Sequence, residues 1–159
     1  MVGRSMTADD DRRGGTSISM AAPLLADRWW FADGVKGPQA SERFSVLNPT
    51  DEAVTVLATF FPTGESEDVA AEAVTSVIEV ASYDVAVIDA GALAELSEGD
   101  HSAVFSTLDG RSIVVDRALT RVSPSGVKVT SIAAGVPERL DGLAPTSWLV
   151  AAGPSVEVE

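Results

Sequence analysis

Short runs of alternating apolar and polar residues constrain the fold of this chain more than any other feature. In the strongest run, residues 53–61, Val54, Val56, Ala58 and Phe60 fall on one face and the intervening residues fall on the other. A period of two residues is typical of a β-strand with one buried face. This run therefore predicts a strand that packs one face against a hydrophobic core.

The same pattern recurs along the chain between segments rich in Gly, Pro, Asn and Asp. Further strands are predicted at residues 16–20, 28–31, 42–47, 83–88, 101–108, 111–119 and 127–133, and residues 69–80 fit a strand or the start of a helix. About eight short strands with turn signals between them are typical of an antiparallel sandwich, and no βαβ rhythm is present. We therefore predict an all-β fold, an antiparallel β-sandwich of about eight short strands.

Two local signals refine this prediction. Residues 89–100 support a helix of one or two turns at most, because only Leu93 and Leu96 have helical spacing. Asp109-Gly110 lies between two alternating runs, which predicts a hairpin with a type I′ turn.

Charge and composition narrow the classes of partner. Acidic residues number 24 and basic residues 11, so the net charge is −13 and the surface should repel nucleic acid and anionic membranes. Cysteine is absent, which excludes a disulfide framework and thiolate chemistry. No apolar run approaches the roughly 20 residues of a spanning helix, and residues 1–13 are polar where a signal peptide would be apolar. We expect no membrane insertion within this chain.

The order of segments predicts one domain with two tails. Residues 1–15 have few apolar side chains, so a flexible tail is predicted there. Residues 16–153 are predicted to form a single sandwich, and residues 154–159 a C-terminal tail. The pattern W-x-x-A-x-G occurs at Trp29 and again at Trp148, 119 residues later (148 − 29), and a Thr-Ser-Ile tripeptide precedes both copies. This spacing indicates one repeat unit with the margins of neighbouring repeats.

These motifs resemble a family of bacterial repeat proteins. The W-x-x-A-x-G pattern, the strand that ends in Leu47-Asn48-Pro49, and the run Ile113-Val114-Val115-Asp116-Arg117 resemble the DUF5719-like proteins of high-GC Gram-positive bacteria. The resemblance covers about residues 28–153. It implies immunoglobulin-like sandwich repeats of exported or envelope-associated proteins, and it supplies no catalytic residues.

No catalytic, cofactor-binding or metal-binding residues are predicted. His101 is the single histidine, its neighbour Asp100 should point the other way along a strand, and no G-x-S-x-G elbow exists. A zinc site needs more His or Cys ligands than the chain contains. The acidic clusters at residues 9–11 and 64–68 do not match a calcium-binding loop, so we read them as solvated segments. Spacing alone leaves open a carboxylate pair for glycoside chemistry.

Two groups of strand residues are candidates for structural or ligand-binding roles, the stretch Trp29–Phe31 and the pair Asp116-Arg117. Trp29 and Trp30 should lie on opposite faces, so one is predicted to be buried as a core or repeat-seam anchor and the other to lie against the adjoining segment. Trp29, Trp30 or Phe31 would supply a stacking platform if the chain bound carbohydrate. Asp116 and Arg117 should also point to opposite faces, and we predict a structural ion pair or an exposed charge for Arg117 rather than a recognition site.

The sequence therefore favours a non-catalytic sandwich module of an exported or cell-envelope protein, acting as a scaffold, spacer or adhesion unit. Its partners would be a protein or glycan, or neighbouring repeats. The alternative is a carbohydrate- or peptide-binding module that uses exposed aromatics or a sheet edge. A carboxylate-dependent hydrolase is a third hypothesis.

Overall fold

The protein is a sandwich of two β-sheets, as the alternating pattern predicts. The structure, a computed structural model, describes residues 3–10, 13–20, 24–63 and 72–138. This part contains eleven strands rather than about eight. They are β1 Gly3–Asp10, β2 Arg13–Met20, β3 Arg28–Lys36, β4 Ala40–Leu47, β5 Val54–Pro62, β6 Val74–Val80, β7 Val85–Asp89, β8 Gly99–Thr107, β9 Val114–Val122, β10 Lys128–Ala134 and β11 Val136–Pro137.

The strands form a six-stranded sheet in the order β1-β2-β10-β9-β4-β7 and a five-stranded sheet in the order β11-β3-β8-β5-β6. Neighbouring strands are antiparallel, except that β2 meets β10 in parallel. Within the described ranges no helix is long and apolar enough to cross a membrane.

The core lies between the sheets and follows the period of two residues. Val54, Val56, Ala58 and Phe60 of β5 are all fully buried, which confirms the face predicted for this run. Phe60 belongs to a group of phenylalanines that pack edge to face or tilted, with ring centroids 4.8–6.2 Å apart: Phe31, Phe44, Phe60 and Phe105. Such rings bury large apolar areas and supply much of the stabilising free energy of a core.

The first tryptophan of the Trp-Trp pair anchors β3 in this core. Trp29 is fully buried, whereas Trp30 is 36% exposed, so the predicted split between two faces is confirmed. The indole N–H of Trp29 donates to the carbonyl oxygens of Ala26 (3.2 Å) and Ile113 (2.9 Å). Burial of the ring therefore leaves no unpaired donor.

The hairpin predicted at Asp109-Gly110 is wrong, because β8 and β9 lie in different sheets. The connection crosses from one sheet to the other, so that Phe105 and Val115 both bury their side chains in the core. Gly110 has φ +73°, but Tyr83 is the one non-glycine residue with positive φ in the described ranges. Asp109 therefore lacks the positive φ that a type I′ turn requires at both central positions.

Three other segments differ in detail from the sequence predictions. Residues 3–10 and 13–20 pair as the strands β1 and β2, which overlap residues 1–15, where a tail was predicted. A backbone ladder needs no apolar side chains to form, which is why composition did not signal it. The domain boundaries stay a prediction. Strand β3 extends to Lys36, beyond the predicted range of residues 28–31, because the ladder absorbs one extra residue between Phe31 and Gly34 as a β-bulge.

The predicted helix at residues 89–100 is limited to a single 3₁₀ turn, Ala90–Ala92. The segment that follows it is held by Lys36, whose Nζ donates to the carbonyl oxygens of Leu93 (2.6 Å) and Leu96 (2.7 Å). Leu96 is buried and Leu93 packs against the core. This segment therefore covers one end of the sandwich core.

Candidate functional site

Three ionisable residues occupy core-facing positions on three strands. Glu42 alternates in phase with the buried residues of β4, His101 with those of β8, and Arg117 with those of β9. All three residues are buried. Because a buried charge is costly unless it is paired, these side chains should contact one another.

The three side chains meet between the two sheets. Arg117 Nη1 donates to Glu42 Oε1 at 3.3 Å, and Arg117 Nη2 donates to Oδ1 of Asp33 at 2.8 Å. His101 Nε2 lies 2.8 Å from Glu42 Oε2, within ion-pair distance. The angles at this contact are poor for a hydrogen bond, so both of these atoms and His101 Nδ1 lack a hydrogen-bond partner within the described part of the chain. We call Asp33, Glu42, His101 and Arg117 the buried charge cluster.

The β-bulge in β3 creates the space for this cluster. The pairing advances three residues along β3, from Phe31 to Gly34, while β8 advances two, from Ala103 to His101. This shift places Gly34 directly opposite His101 and turned toward the core. A Cβ at Gly34 would lie 2.7 Å from His101 Nε2, and 2.8 and 2.9 Å from the two carboxylate oxygens of Glu42. Only glycine fits here without moving the ion pair.

Aromatic rings surround the cluster on the core side. The guanidinium carbon of Arg117 lies 5.7 Å from the centroid of the Phe31 ring, in a cation–π arrangement. The His101 ring packs edge to face against Phe60 at 5.6 Å. The cluster is therefore continuous with the hydrophobic core.

Asp33 connects the cluster to solvent. Its side chain is 69% exposed, and its Oδ2 lies 3.8 Å from Nη2 of Arg121, a surface residue of β9. The hydrogen bond from Arg117 lowers the pKa of Asp33 below its ordinary value of 3.8; burial acts in the opposite direction, and the charges of Arg117, Arg121 and His101 add to the lowering. Two carboxylates, Asp33 and Glu42, thus face two guanidiniums, Arg117 and Arg121.

An open cleft of about 410 Å³ lies in front of the cluster. Its lining combines Asp33, Gly34 and His101 with six further residues, which are Ala32, Phe61, Thr63, Asp100, Ser102 and Arg121. An aromatic ring, hydroxyls and charges of both signs around one concave surface are features of small-molecule sites. The cleft is therefore the first place to test for chemistry.

The structure places the residues that the sequence singled out as follows. His101 is buried and Asp100 is exposed, so they do not form a histidine–aspartate pair. Phe31 is buried, which leaves Trp30 as the exposed aromatic of the Trp29–Phe31 stretch. Arg117 is in an ion pair, one of the two alternatives predicted for it.

The other predictions concern metal sites and the second motif. The segment 64–68 and Trp148 lie outside the described residues. Within the described ranges no group of three or more His, Cys, Asp or Glu side chains is arranged to hold a metal ion.

Glu42 and Gly34 belong to the site but were not predicted as site residues from the sequence. A signal for Glu42 exists, because it has the same phase as the buried Phe44 and Val46 on an alternating strand. The role of Gly34 depends on a bulge, and a bulge is not visible in a period-two pattern.

Comparisons with known proteins support the fold. No family model matches the chain. No curated protein matches it either. The crystal structure of Thermotoga maritima 1070 is similar in fold, with a TM-score of 0.59 and 17% sequence identity; the similarity covers 71% of this chain and 95% of that chain. At this identity the likeness supports a shared sandwich fold and nothing more.

Proposed function

We propose that this chain is a non-catalytic, immunoglobulin-like sandwich module of an exported or cell-envelope protein, where it acts as a scaffold, spacer or adhesion unit. The observation that carries the proposal is the burial and pairing of Glu42, His101 and Arg117 in the buried charge cluster. The side chains of Glu42 and His101 are 0% and 1% exposed, and Glu42 contacts both Arg117 and His101. The resemblance to DUF5719-like repeat proteins supports the exported setting.

The cluster does not form a nucleophile–base unit within the described chain. A serine or threonine nucleophile needs a hydrogen bond to its base. Neither ring nitrogen of His101 has a hydrogen-bond partner in the part of the chain that is described. This favours a structural role for His101.

The carboxylates of the cleft also favour a non-catalytic role. Asp33 and Asp100 both line it, and a glycosidase would need two such groups. A general acid must hold its proton near neutral pH, which requires a raised pKa. The pKa of Asp33 is lowered, because Arg117 donates a hydrogen bond to it. Asp33 is therefore unsuited to be the acid of such a pair.

The test is a substrate screen with chromogenic esters, phosphate esters and glycosides. The wild-type protein and the variants His101→Ala, Asp33→Asn and Asp100→Asn should all give the rate of the buffer blank. Turnover by the wild type that one of these variants abolishes would overturn the non-catalytic proposal.

The second candidate function is binding of a neutral glycan by the outer face of the five-stranded sheet. The strand register places Trp30 directly between Val136 and Val104, and continues the row through Thr59 and Thr75. This row contains no charge, on a chain of net charge −13. An exposed indole beside hydroxyl side chains fits the apolar face and the hydroxyls of a sugar ring.

A glycan array tests this candidate. Wild-type protein should bind a glycan that Trp30→Ala no longer binds, and the control variant Val77→Ala, on the same face of the sheet, should bind as wild type does. Absence of binding by the wild type would remove this candidate and leave the scaffold proposal in place.

A further inference from the structure

Strand β6 is an open edge of the five-stranded sheet. Residues Val74–Val80 pair with β5 over seven consecutive positions. No strand in the described part of the chain pairs with the other side of β6. Alternate residues of β6 therefore leave backbone N–H and C=O groups available to a further strand.

The core beneath this edge is incompletely covered. The core-facing residues of β5 are fully buried, but Val74 and Ile78, which face the same core from β6, are only half-buried. On the outer face, Val77 is 60% exposed. A strand added beside β6 would bury apolar surface that the described fold leaves accessible to solvent, and this burial would favour binding.

The edge has one of the usual devices that prevent strand addition, the charged side chain of Glu79. Other such devices are lysine, proline, a bulge or an inward-pointing charge. β6 has the sequence Val-Thr-Ser-Val-Ile-Glu-Val, its register with β5 is unbroken, and its single charge, Glu79, lies on the exposed side. β11, an edge strand of the same sheet, has only two residues and contains Pro137.

A groove of about 510 Å³ runs along the first half of this edge. It lies between β6 and the segment after the 3₁₀ turn, and its lining includes the apolar Val74 and Leu93. The charged residues in the lining are Glu72 and Glu95, and no basic residue lines the groove. The groove thus combines the apolar side chains of Val74 and Leu93 with an open backbone edge and two carboxylates.

We propose that β6 and this groove bind an extended basic segment of a partner protein, which adds to the sheet as a further strand. Backbone hydrogen bonds to β6 would supply affinity. Apolar side chains on the face of the segment that is turned toward the groove would pack on Val74 and Leu93, and lysine or arginine residues on the same face would meet Glu72 and Glu95. A second copy of the chain fits poorly, because each copy carries a net charge of −13 and the same two glutamates.

This inference rests on the proposed module function, since it identifies the surface by which such a module would hold a partner. The probe is the capped peptide Lys-Thr-Val-Thr-Val-Thr-Lys, whose lysines and valines share one face in a strand, and the control peptide has glutamate in place of both lysines. We expect the lysine peptide to bind in calorimetry, about tenfold or more tighter than the glutamate peptide at low salt, and to bind more weakly as salt is raised. Amide hydrogen exchange should slow at alternate residues of β6.

Charge variants locate the site on the protein. Glu72→Lys combined with Glu95→Lys should weaken binding of the lysine peptide about tenfold or more. The control variant Asp51→Lys also replaces an acidic residue by lysine, but in the β4–β5 turn, near the end of β6 that is distant from the groove. It should change the affinity for the lysine peptide by less than about threefold. Circular dichroism should show all variants folded, because the three residues are exposed.

Three results would overturn the proposal. They are no binding of the lysine peptide at millimolar concentration, slowed exchange outside β6 but not within it, and a dimer in sedimentation whose formation is lost on substituting β6. None of these results bears on the substrate screen, so failure of this inference and failure of the non-catalytic proposal are distinguishable.

Discussion

Substitution of Gly34 by alanine should destabilise the protein strongly although it adds a single methyl group. The new Cβ would lie 2.7–2.9 Å from His101 Nε2 and both carboxylate oxygens of Glu42. An unstrained contact requires about 3.5 Å, so these atoms must move by roughly 0.6–0.8 Å. Both side chains are buried, so such a movement disturbs packed neighbours.

Two terms set the size of the effect. Overpacking a filled interior costs about 1–3 kcal/mol. Loss of a buried charge pair costs about 3–5 kcal/mol when one partner is left unpaired, and here the pair is displaced rather than removed. We therefore expect a decrease of about 2–4 kcal/mol in the free energy of unfolding, which is a large part of a typical domain stability of about 5–15 kcal/mol.

Urea denaturation measures this decrease directly. With a slope of about 2 kcal/mol/M, the midpoint for Gly34→Ala should fall by about 1–2 M. The matched control is Gly37→Ala, three residues later, where a Cβ would have no atom within 4 Å. Its stability should remain within about 0.5 kcal/mol of wild type. Equal midpoints for the two variants would refute the role assigned to Gly34.

Three other predictions concern acid, metal and the second tryptophan motif. The folded pKa of Asp33 is below its unfolded value, so its contribution to stability is present above about pH 4 and is lost as pH falls through the lowered folded pKa. Asp33→Asn should therefore flatten the loss of stability below about pH 4, by less than about 1 kcal/mol because the side chain is exposed. An unchanged acid profile would contradict this. Exhaustive chelation should leave the melting temperature unchanged, and a fall of several degrees would direct attention to residues 64–68 as a calcium site. Trp148 lies outside the described residues, and we predict that it packs near Trp29. Trp148→Ala should then lower the free energy of unfolding by about 3–5 kcal/mol, while deletion of residues 154–159 should change it little. A Trp148→Ala variant as stable as wild type would assign this tryptophan to a neighbouring repeat.

Alternation along single strands was sufficient to predict the fold class. It identified the buried face of β5 and the opposite faces of Trp29 and Trp30, because side-chain direction in a strand depends only on local geometry. It did not identify which strands are neighbours. Asp109-Gly110 illustrates the difference, since a turn signal between two alternating runs fits a hairpin and a crossing between sheets equally well.

The buried charge cluster depends on contacts that are distant in the sequence. Arg117 is 75 residues from Glu42 and 84 residues from Asp33. The phase of each strand predicts that Glu42 and Arg117 point inward, and a buried charge predicts a partner. The identity of the partner follows from the sheet order, and the room for it follows from a bulge at Gly34. Neither feature has a signature in a single sequence.

A double-mutant cycle between Glu42 and Arg117 tests the central claim, that the buried charge cluster is a paired structural unit. Glu42→Gln, Arg117→Met and the double variant should be compared with wild type by urea denaturation, under identical conditions. Glu42→Gln leaves Arg117 with Asp33 as its remaining partner, Arg117→Met leaves Glu42 with His101, and the double substitution removes the Glu42–Arg117 pair as a whole. We predict that the double variant is more stable than the sum of the single effects implies, by about 1–3 kcal/mol. Effects that add to within about 0.5 kcal/mol would contradict the pairing and the structural role built on it.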